Sequence, residues 1–205
     1  MWKSDIAEAY RLMPMSPYWQ IKQINTVNRL QYVDHNLPFA ASASIFISFN
    51  SLVAWLARYV KGFDYLATYV DNSFGCDLQG YMLYYEPYQC ELPAHQKLLL
   101  DLWDELSIPH KCCKQVSGSP LTIIGINVDP NAMTLTLSSE AHRLLLGELF
   151  LWTARPPSHS SGSFKLKHWE RLAGWFNWCL NIYPHLCHAL NNIYAKIGGK
   201  SNRNQ

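Results

Sequence analysis

The chain has 205 residues, 49% of them hydrophobic, and a formal net charge of +2. This length suits one domain, or one domain with a small appendage. No apolar run reaches the roughly 18–20 residues that a membrane span needs, and the start, Met1-Trp2-Lys3-Ser4-Asp5, is not a secretory signal. We therefore expect an intracellular protein without a membrane partner, in nucleus or cytoplasm, whose six cysteines are reduced thiols.

The charges are unevenly distributed along the chain. From Lys165 onward, six basic residues face a single acid, Glu170, whereas the preceding part carries eleven basic and fourteen acidic residues. A basic C-terminal end fits a segment that touches phosphates. An ordinary solvated tail explains the same charges equally well.

The first half of the chain alternates predicted strands with one long helix. Residues 2–6 form a predicted strand, and residues 18–26 and 29–34 form a predicted hairpin. The helix predicted over residues 44–61 is apolar around most of its circumference, so we expect it to be buried on all sides.

The second half begins with a tyrosine-rich loop, residues 81–88, and continues with more helices than strands. A helix is predicted over residues 93–106, strands over 121–128 and 133–137, and a further helix after Ser138. The stretch 156–163 is rich in Pro, Ser and Gly and is the best domain boundary, with two amphipathic helices beyond it. The predicted organisation is an α+β body over residues 1–155, a linker over 156–163 and a helical appendage over 164–205.

The chain is organised around the stretch Tyr69-Val70-Asp71-Asn72. Short apolar runs on both sides, residues 65–70 and 74–75, predict a β-hairpin that holds one carboxylate rigidly at its turn. A carboxylate held on strands is well suited to binding a hard divalent cation such as Mg²⁺.

These stretches, taken in order, resemble the motifs of reverse transcriptases. The stretch Asp5-Ile6-Ala7-Glu8-Ala9-Tyr10 resembles motif A, and Tyr69-Val70-Asp71-Asn72 resembles the Tyr-x-Asp-Asp hairpin of motif C, with Asn72 in place of the second aspartate. Leu37, Pro38 and Ser44 match motif B, but Phe39 and Ala40 stand where Gln and Gly are usual. Residues 106–111 and 121–128 resemble motifs D and E. The helix over 171–178 resembles the thumb of fungal retroelement polymerases of the DIRS-like group.

The resemblance implies a polymerase palm, an antiparallel sheet packed on helices, followed by a thumb-like helical region. It implies that Asp5 and Asp71 bind Mg²⁺ or Mn²⁺, and that Lys111, with Lys114 in reserve, protonates the leaving group. The partners implied are an RNA or DNA template–primer and deoxynucleoside triphosphates. The implied substrate contacts are Tyr10, Phe39 and Tyr69, and the implied nucleic-acid contacts are Lys165, Lys167, Arg171, Trp175 and Trp178. We also expect that the chain is truncated before motif A.

Asn72 weakens the implied catalytic site. Losing one charge about 4 Å from a divalent ion removes roughly 8 kcal/mol of gross attraction at an effective dielectric constant near 20. Even a residual loss of about 3 kcal/mol slows a reaction about a hundredfold. We therefore expect an impaired or inactive nucleotidyltransferase. The alternatives are a non-catalytic nucleic-acid-binding remnant and a decayed relic without a selected function.

Plainer roles compete for several of these residues. Tyr10 fits core packing as well as sugar contact, and Lys111 fits a solvated lysine after a proline. The tryptophans have the spacing of core residues on helices and strands. The five Cys and His residues between 90 and 113 lack the spacing of a structural zinc site, so we predict none.

Overall fold

A computed structural model describes residues 1–36, 43–154 and 164–198. Helices and antiparallel strands both occur, which confirms the predicted α+β class. The chain divides by compactness into two units, Met1–Leu121 and Thr122–Gln205. The linker predicted over 156–163 lies outside the described residues, so the domain boundary there stays a prediction.

The first unit contains eight strands and three α-helices within its described residues. In chain order these are β1 (Trp2–Ile6), α1 (Pro17–Gln20), β2 (Ile24–Val27), β3 (Leu30–Val33), α2 (Ala43–Tyr59), β4 (Leu66–Tyr69), β5 (Asn72–Gly75), β6 (Met82–Tyr85), β7 (Cys90–Pro93), α3 (Ala94–Glu105) and β8 (His110–Ser117).

A four-stranded antiparallel sheet in the order β4-β5-β1-β8 forms the centre of this unit. Along β1 the side chains of Trp2, Ser4 and Ile6 are buried, and those between them are partly exposed. Successive residues of a strand point to opposite faces. One face of the sheet is therefore covered by the core, and the other face, which carries Asp5, is open.

Helices α2 and α3 supply much of the covering layer. Phe46, Val53 and Ala57 of α2 are buried, and they recur at helical spacing on one side of the helix. Gln96 of α3 is buried as well, and its Nε2 donates to the Lys3 carbonyl at 3.1 Å and to Ser4 Oγ at 3.2 Å. These hydrogen bonds fix α3 against the middle of β1.

The prediction that α2 is buried on all sides is wrong. Its second apolar face remains exposed, with Ile45, Leu52 and Trp55 each more than half accessible. Helix α2 packs against β4 with one side, and no described element covers its other side. The residues of β2 and β3 are also exposed throughout.

Four local predictions also differ from the structure. The segment Pro17–Gln20 is helical rather than extended, since Pro17 suits the first turn of a helix. The predicted loop at 81–88 contains strand β6, and His110–Ser117 is a strand that its polar sequence did not predict. The predicted strand 121–128 is broken because Ile124 and Gly125 both have positive φ, 50° and 79°.

Within its described residues, the second unit combines a small sheet with three α-helices. Its elements are β9 (Leu121–Ile123, which begins at the division), β10 (Ile126–Asp129), β11 (Thr134–Leu137), α4 (Ser139–Ala154), α5 (Leu166–Cys179) and α6 (Ala189–Ile197). Leu172 and Ala173 of α5 pack with Leu190 and Ile193 of α6, so the two predicted amphipathic helices bury their apolar faces together. Within the described residues, no helix is both long and apolar enough to cross a membrane.

Gly75 at the end of β5 is required by close packing. A Cβ atom there would lie 2.6 Å from the ring of buried Trp2 and 2.7 Å from the carbonyl oxygen of Tyr65. Replacing Gly75 with alanine therefore forces the sheet and the Trp2 ring apart. We expect Gly75→Ala to lower the free energy of unfolding by about 3 kcal/mol, measured by urea denaturation.

Gly80→Asn is the matched control for this change. Gly80 also lies in the first unit, and a Cβ there meets nothing within 4 Å, although its φ of +83° strains any side chain. Because asparagine adopts positive φ more readily than most residues, the control is expected to lose no more than about 1 kcal/mol. Equal losses for the two variants would contradict the packing argument.

Candidate functional site

The turn between β4 and β5 presents Asp71 at the edge of the central sheet. Tyr69 pairs with Asn72, so Val70 and Asp71 form a two-residue turn. Val70 has φ +54°, a left-handed conformation that favours glycine and that a β-branched residue rarely adopts. The Nδ2 of Asn50 donates to the Val70 carbonyl at 2.8 Å and holds the turn in this conformation.

Strand β1 brings Asp5 next to this turn. Asp5 pairs directly with Asn72 across the β1–β5 ladder, so the two side chains share the open face of the sheet. The Ile6 amide donates to the Asp71 carbonyl at 3.2 Å and extends the pairing to the turn. The structure thus places the three predicted residues Asp5, Asp71 and Asn72 together.

The carboxylates at this edge already have partners. The Nδ2 of Asn72 donates to Asp71 Oδ1 at 3.1 Å. The ammonium of Lys114 lies 2.7 Å from Asp5 Oδ1 and also donates to the Ile6 carbonyl at 3.1 Å. Lys111, which the resemblance favours as the group that protonates the leaving group, instead pairs with Glu8 at 3.2 Å in an exposed position.

Two carboxylates with an adjacent amide suit one kind of cation. Mg²⁺ is commonly held by one or two carboxylates together with substrate phosphates and water. Asp5 and Asp71 fit this donor set. Among the described residues, no group of three or more His, Cys, Asp or Glu side chains could hold a metal ion by itself. The further ligands of such an ion would be substrate phosphates and water.

The predicted substrate contacts are placed unevenly. Tyr69 precedes the turn and is exposed, in register with Asn72. Tyr10 lies in the short 3-10 helix Ala9–Leu12 that follows β1. Phe39, with the rest of the motif B stretch over residues 37–42, lies outside the described residues. The roles given to these three residues stay predictions.

Asn50 is a residue of this site that the sequence analysis missed. It lies on the buried face of α2 between Phe46 and Val53, where the spacing otherwise calls for apolar side chains. A buried polar side chain normally has a hydrogen-bond partner. A single amide within an apolar helical face was therefore the available signal that α2 binds a backbone group.

In the second unit, one face of α5 carries the predicted nucleic-acid contacts. Lys167, Arg171, Trp175 and Trp178 follow one another at intervals of four, four and three residues, which aligns them along the helix. Lys165 precedes the helix, and both lysines are exposed. Arg171 and the two tryptophans line an open, mainly apolar groove of about 540 Å³.

Arg171 also has a structural partner in α4. Its guanidinium lies 2.6 Å from Glu148 Oε2, and the Glu148 side chain is only 6% exposed. A buried carboxylate without a cation is strongly unfavourable. Arg171 therefore neutralises Glu148, and much of its charge is already used within the second unit.

A further polar cluster joins β6, α3 and β8 in the first unit. The Tyr85 hydroxyl donates to Asp104 at 2.6 Å, and His110 contacts both Asp104, at 3.0 Å, and the Tyr88 hydroxyl. Burial raises the pKa of Tyr88 to about 12, and burial followed by the Asp104 contact raises that of Tyr85. Both hydroxyls thus remain neutral near pH 7, and the cluster ties the end of α3 to the start of β8.

The fold is reverse-transcriptase-like. The chain is similar to the structure of a foamy viral protease-reverse transcriptase in complex with an RNA/DNA hybrid. The match covers 99% of this chain, at a TM-score of 0.62 and 16% identity. Complexes of that protein with dsDNA and of its dRH form with ds DNA match at TM-scores of 0.59 and 0.58, with 16% and 18% identity.

The chain spans only part of these solved chains, 24%, 37% and 32% of their lengths respectively. No protein-family model matches the sequence, and no curated protein matches it. At these identities the likeness establishes the fold alone. The fungal DIRS-like origin stays a prediction.

The Asn50 hydrogen bond should measurably stabilise the turn. In Asn50→Leu the Val70 carbonyl loses its donor, so we expect a loss of about 1–2 kcal/mol in urea denaturation and faster hydrogen exchange at the Asn72 amide. Ser51→Ala, on the exposed side of the same helix, should change stability by less than about 0.5 kcal/mol. Unchanged exchange in Asn50→Leu would show that the turn holds its conformation without Asn50.

Arg171 should contribute to stability even without a ligand. Arg171→Ala leaves the Glu148 carboxylate buried and unpaired, and we expect a loss of about 2 kcal/mol. The double variant Arg171→Ala/Glu148→Gln should recover most of this loss. Lys167→Ala, which removes the same charge at an exposed position, is the control and should unfold like the wild type. An equal loss in the single and double variants would argue against the Glu148 pairing.

Proposed function

We propose that this chain is a nucleotidyltransferase fragment of the reverse transcriptase type, derived from a retroelement of the fungal DIRS-like group. In this proposal residues 1–155 act as the palm and 164–205 as a thumb-like region. The substrates are a template–primer and deoxynucleoside triphosphates. The observation that best supports this proposal is the pairing of Asp5 with Asn72 across β1 and β5, with Asp71 at the adjoining turn.

The geometry supports this function because the residues come from separate strands and meet on the open face of one sheet. Asp5 and Asp71 would hold Mg²⁺ or Mn²⁺, which when bound activates the primer hydroxyl and neutralises the triphosphate. The remaining protein groups position these carboxylates. The Asn72 amide orients Asp71, and the Asn50 amide fixes the turn that carries it.

In this proposal Asn72 lowers the rate of nucleotidyl transfer. An asparagine at the position facing Asp5 supplies hydrogen bonds but no negative charge. Compared with an aspartate, it lowers the attraction for a divalent cation and for the charge redistribution of phosphoryl transfer. The chain's own residues thus define the site, while the charge available there limits its rate.

A second candidate function is nucleic-acid binding without turnover. The observation that favours it is the alignment of Lys167, Trp175 and Trp178 on one face of α5, where bases could stack beside a basic side chain. Binding of this kind needs neither Asp71 nor a divalent cation. It also depends steeply on salt, because phosphate contacts release counterions.

Primer extension tests the catalytic proposal. With Mg²⁺ or Mn²⁺ and a labelled primer on RNA or DNA templates, we expect Asn72→Asp to extend about a hundredfold faster than the wild type. Asp71→Ala should abolish extension. The proposal is lost if Asn72→Asp incorporates no more nucleotide than Asp71→Ala while remaining folded by circular dichroism.

Fluorescence anisotropy in EDTA separates the two candidates. A binding remnant should hold a primer–template equally well with and without Asp71→Ala. Lys167→Ala should reduce the slope of log affinity against log salt by about 0.7–0.9 if that side chain contacts a phosphate. Absence of both extension and salt-dependent binding would favour a relic without function.

A further inference from the structure

A bulge in β8 brings a lysine onto the carboxylate site. Ser4 of β1 pairs with Gln115, but the next register pair along β1 is Ile6 with His110. Asp5 therefore stands opposite four residues of β8, Lys111 to Lys114. A bulge bends the strand that contains it and redirects its side chains. Here the first three of the four are exposed, and Lys114 is directed at Asp5.

The Lys114–Asp5 ion pair is well anchored compared with its neighbour. Its two side chains are 36% and 27% exposed, and the ammonium has a second acceptor, the Ile6 carbonyl. The side chains of the Lys111–Glu8 pair on the same bulge are 57% and 68% exposed. Exposed pairs contribute little, whereas partly buried pairs are less screened. Lys114 therefore has a defined position at the site.

The ammonium occupies a carboxylate that a divalent cation would also use, since it lies 2.7 Å from Asp5 Oδ1. Lysine has three donors and no acceptor, so Lys114 interacts with Asp5 only as a cation. A hard divalent ion also binds carboxylate oxygen. The described groups at the turn carry two negative charges, on Asp5 and Asp71, and one positive charge on Lys114, because Asn72 is neutral. The positive charge thus opposes the arrival of a second cation.

We propose that Lys114 is the resident counter-cation of the carboxylate site and competes with the divalent cation for Asp5. This inference rests on the proposed function, in which Asp5 and Asp71 bind the metal. The cation enters only when the ammonium moves off Asp5, and metal affinity is set by this exchange as well as by the missing charge at Asn72. Lys114 acts through Asp5 and touches no reacting atom.

The test is metal binding by the full chain, measured as Mn²⁺ affinity by electron paramagnetic resonance and as competition by Mg²⁺. Lys114→Met should bind Mn²⁺ about tenfold more tightly than the wild type, which corresponds to about 1.4 kcal/mol. Lys114→Gln is a second neutral variant that keeps a hydrogen-bond donor toward Asp5, in case methionine disturbs folding. Lys114→Gln should also bind Mn²⁺ more tightly than the wild type does.

Lys97→Met is the matched control. Lys97 forms an ion pair with Asp101 at 2.6 Å on α3, with side-chain exposures of 26% and 35%, similar to those of the Lys114 pair. Its loss removes the same formal charge from another part of the first unit. Mn²⁺ affinity should therefore change less than twofold.

Thermal unfolding is a second measurement. A purely structural ion pair would not produce the dependence on metal that we expect here. In EDTA, Lys114→Met should unfold at a lower temperature than the wild type, because Asp5 loses its counter-cation beside Asp71. Added Mn²⁺ should raise the unfolding temperature of Lys114→Met more than that of the wild type, since the metal replaces the missing charge.

The outcomes separate this inference from the proposed function. If Asp5→Asn weakens Mn²⁺ binding but both neutral Lys114 variants bind like the wild type, the competition is disproved and the metal site stands. If Asp5→Asn and Asp71→Asn bind Mn²⁺ as the wild type does, the metal site itself is disproved, and the inference with it.

Discussion

The register between β1 and β5 is the constraint on which the site depends. A shift of one residue would move every side chain of β1 to the opposite face of the sheet. Trp2 and Ile6 would then leave the core, and Asp5 would no longer face Asn72. Gly75 helps to fix the register, because only a residue without Cβ fits beneath the Trp2 ring. The buried face of the sheet thus fixes the positions of Asp5 and Asn72 on the opposite face.

Two buried side chains connect the helices to β1 and to the turn. Gln96 hydrogen-bonds the middle of β1 from α3, and Asn50 holds the Val70 carbonyl from α2. In both buried side chains the amide nitrogen donates to a group on the central sheet, where the low local dielectric constant makes such a hydrogen bond strong. The two helices therefore contribute specific orientation as well as apolar area. A carboxylate positioned in this way loses little freedom when it binds a cation.

The parts of the structure that followed from the sequence are those with local signals. The sequence predicts a short strand over residues 2–6, and the Asp71 turn between short apolar runs predicts the β4–β5 hairpin. The β8 strand was not predictable, because His110–Ser117 is polar and its extended form comes from pairing with β1. The motif D resemblance points to Lys111, with Lys114 in reserve, whereas the structure places Lys114 at Asp5. Sequence distance does not reveal a bulge, and only the bulge decides which lysine reaches Asp5. The exposure of one face of α2 is not predictable either, because the spacing of apolar residues does not show which neighbouring elements cover them.

Asn72 and Lys114 together set the charge balance at the turn. In a site with three carboxylates, a resident ammonium would leave two negative charges to attract a divalent ion. With Asn72 in place of one carboxylate, the same ammonium leaves only one, so Lys114 has a larger effect here than it would beside an aspartate. The two features act in the same direction, since each reduces the negative potential at Asp5 and Asp71. The effect of Asn72 on the charge of this site is therefore coupled to that of Lys114. Lys114 lies some forty residues further along the sequence, and the β8 bulge brings its ammonium within hydrogen-bond distance of Asp5.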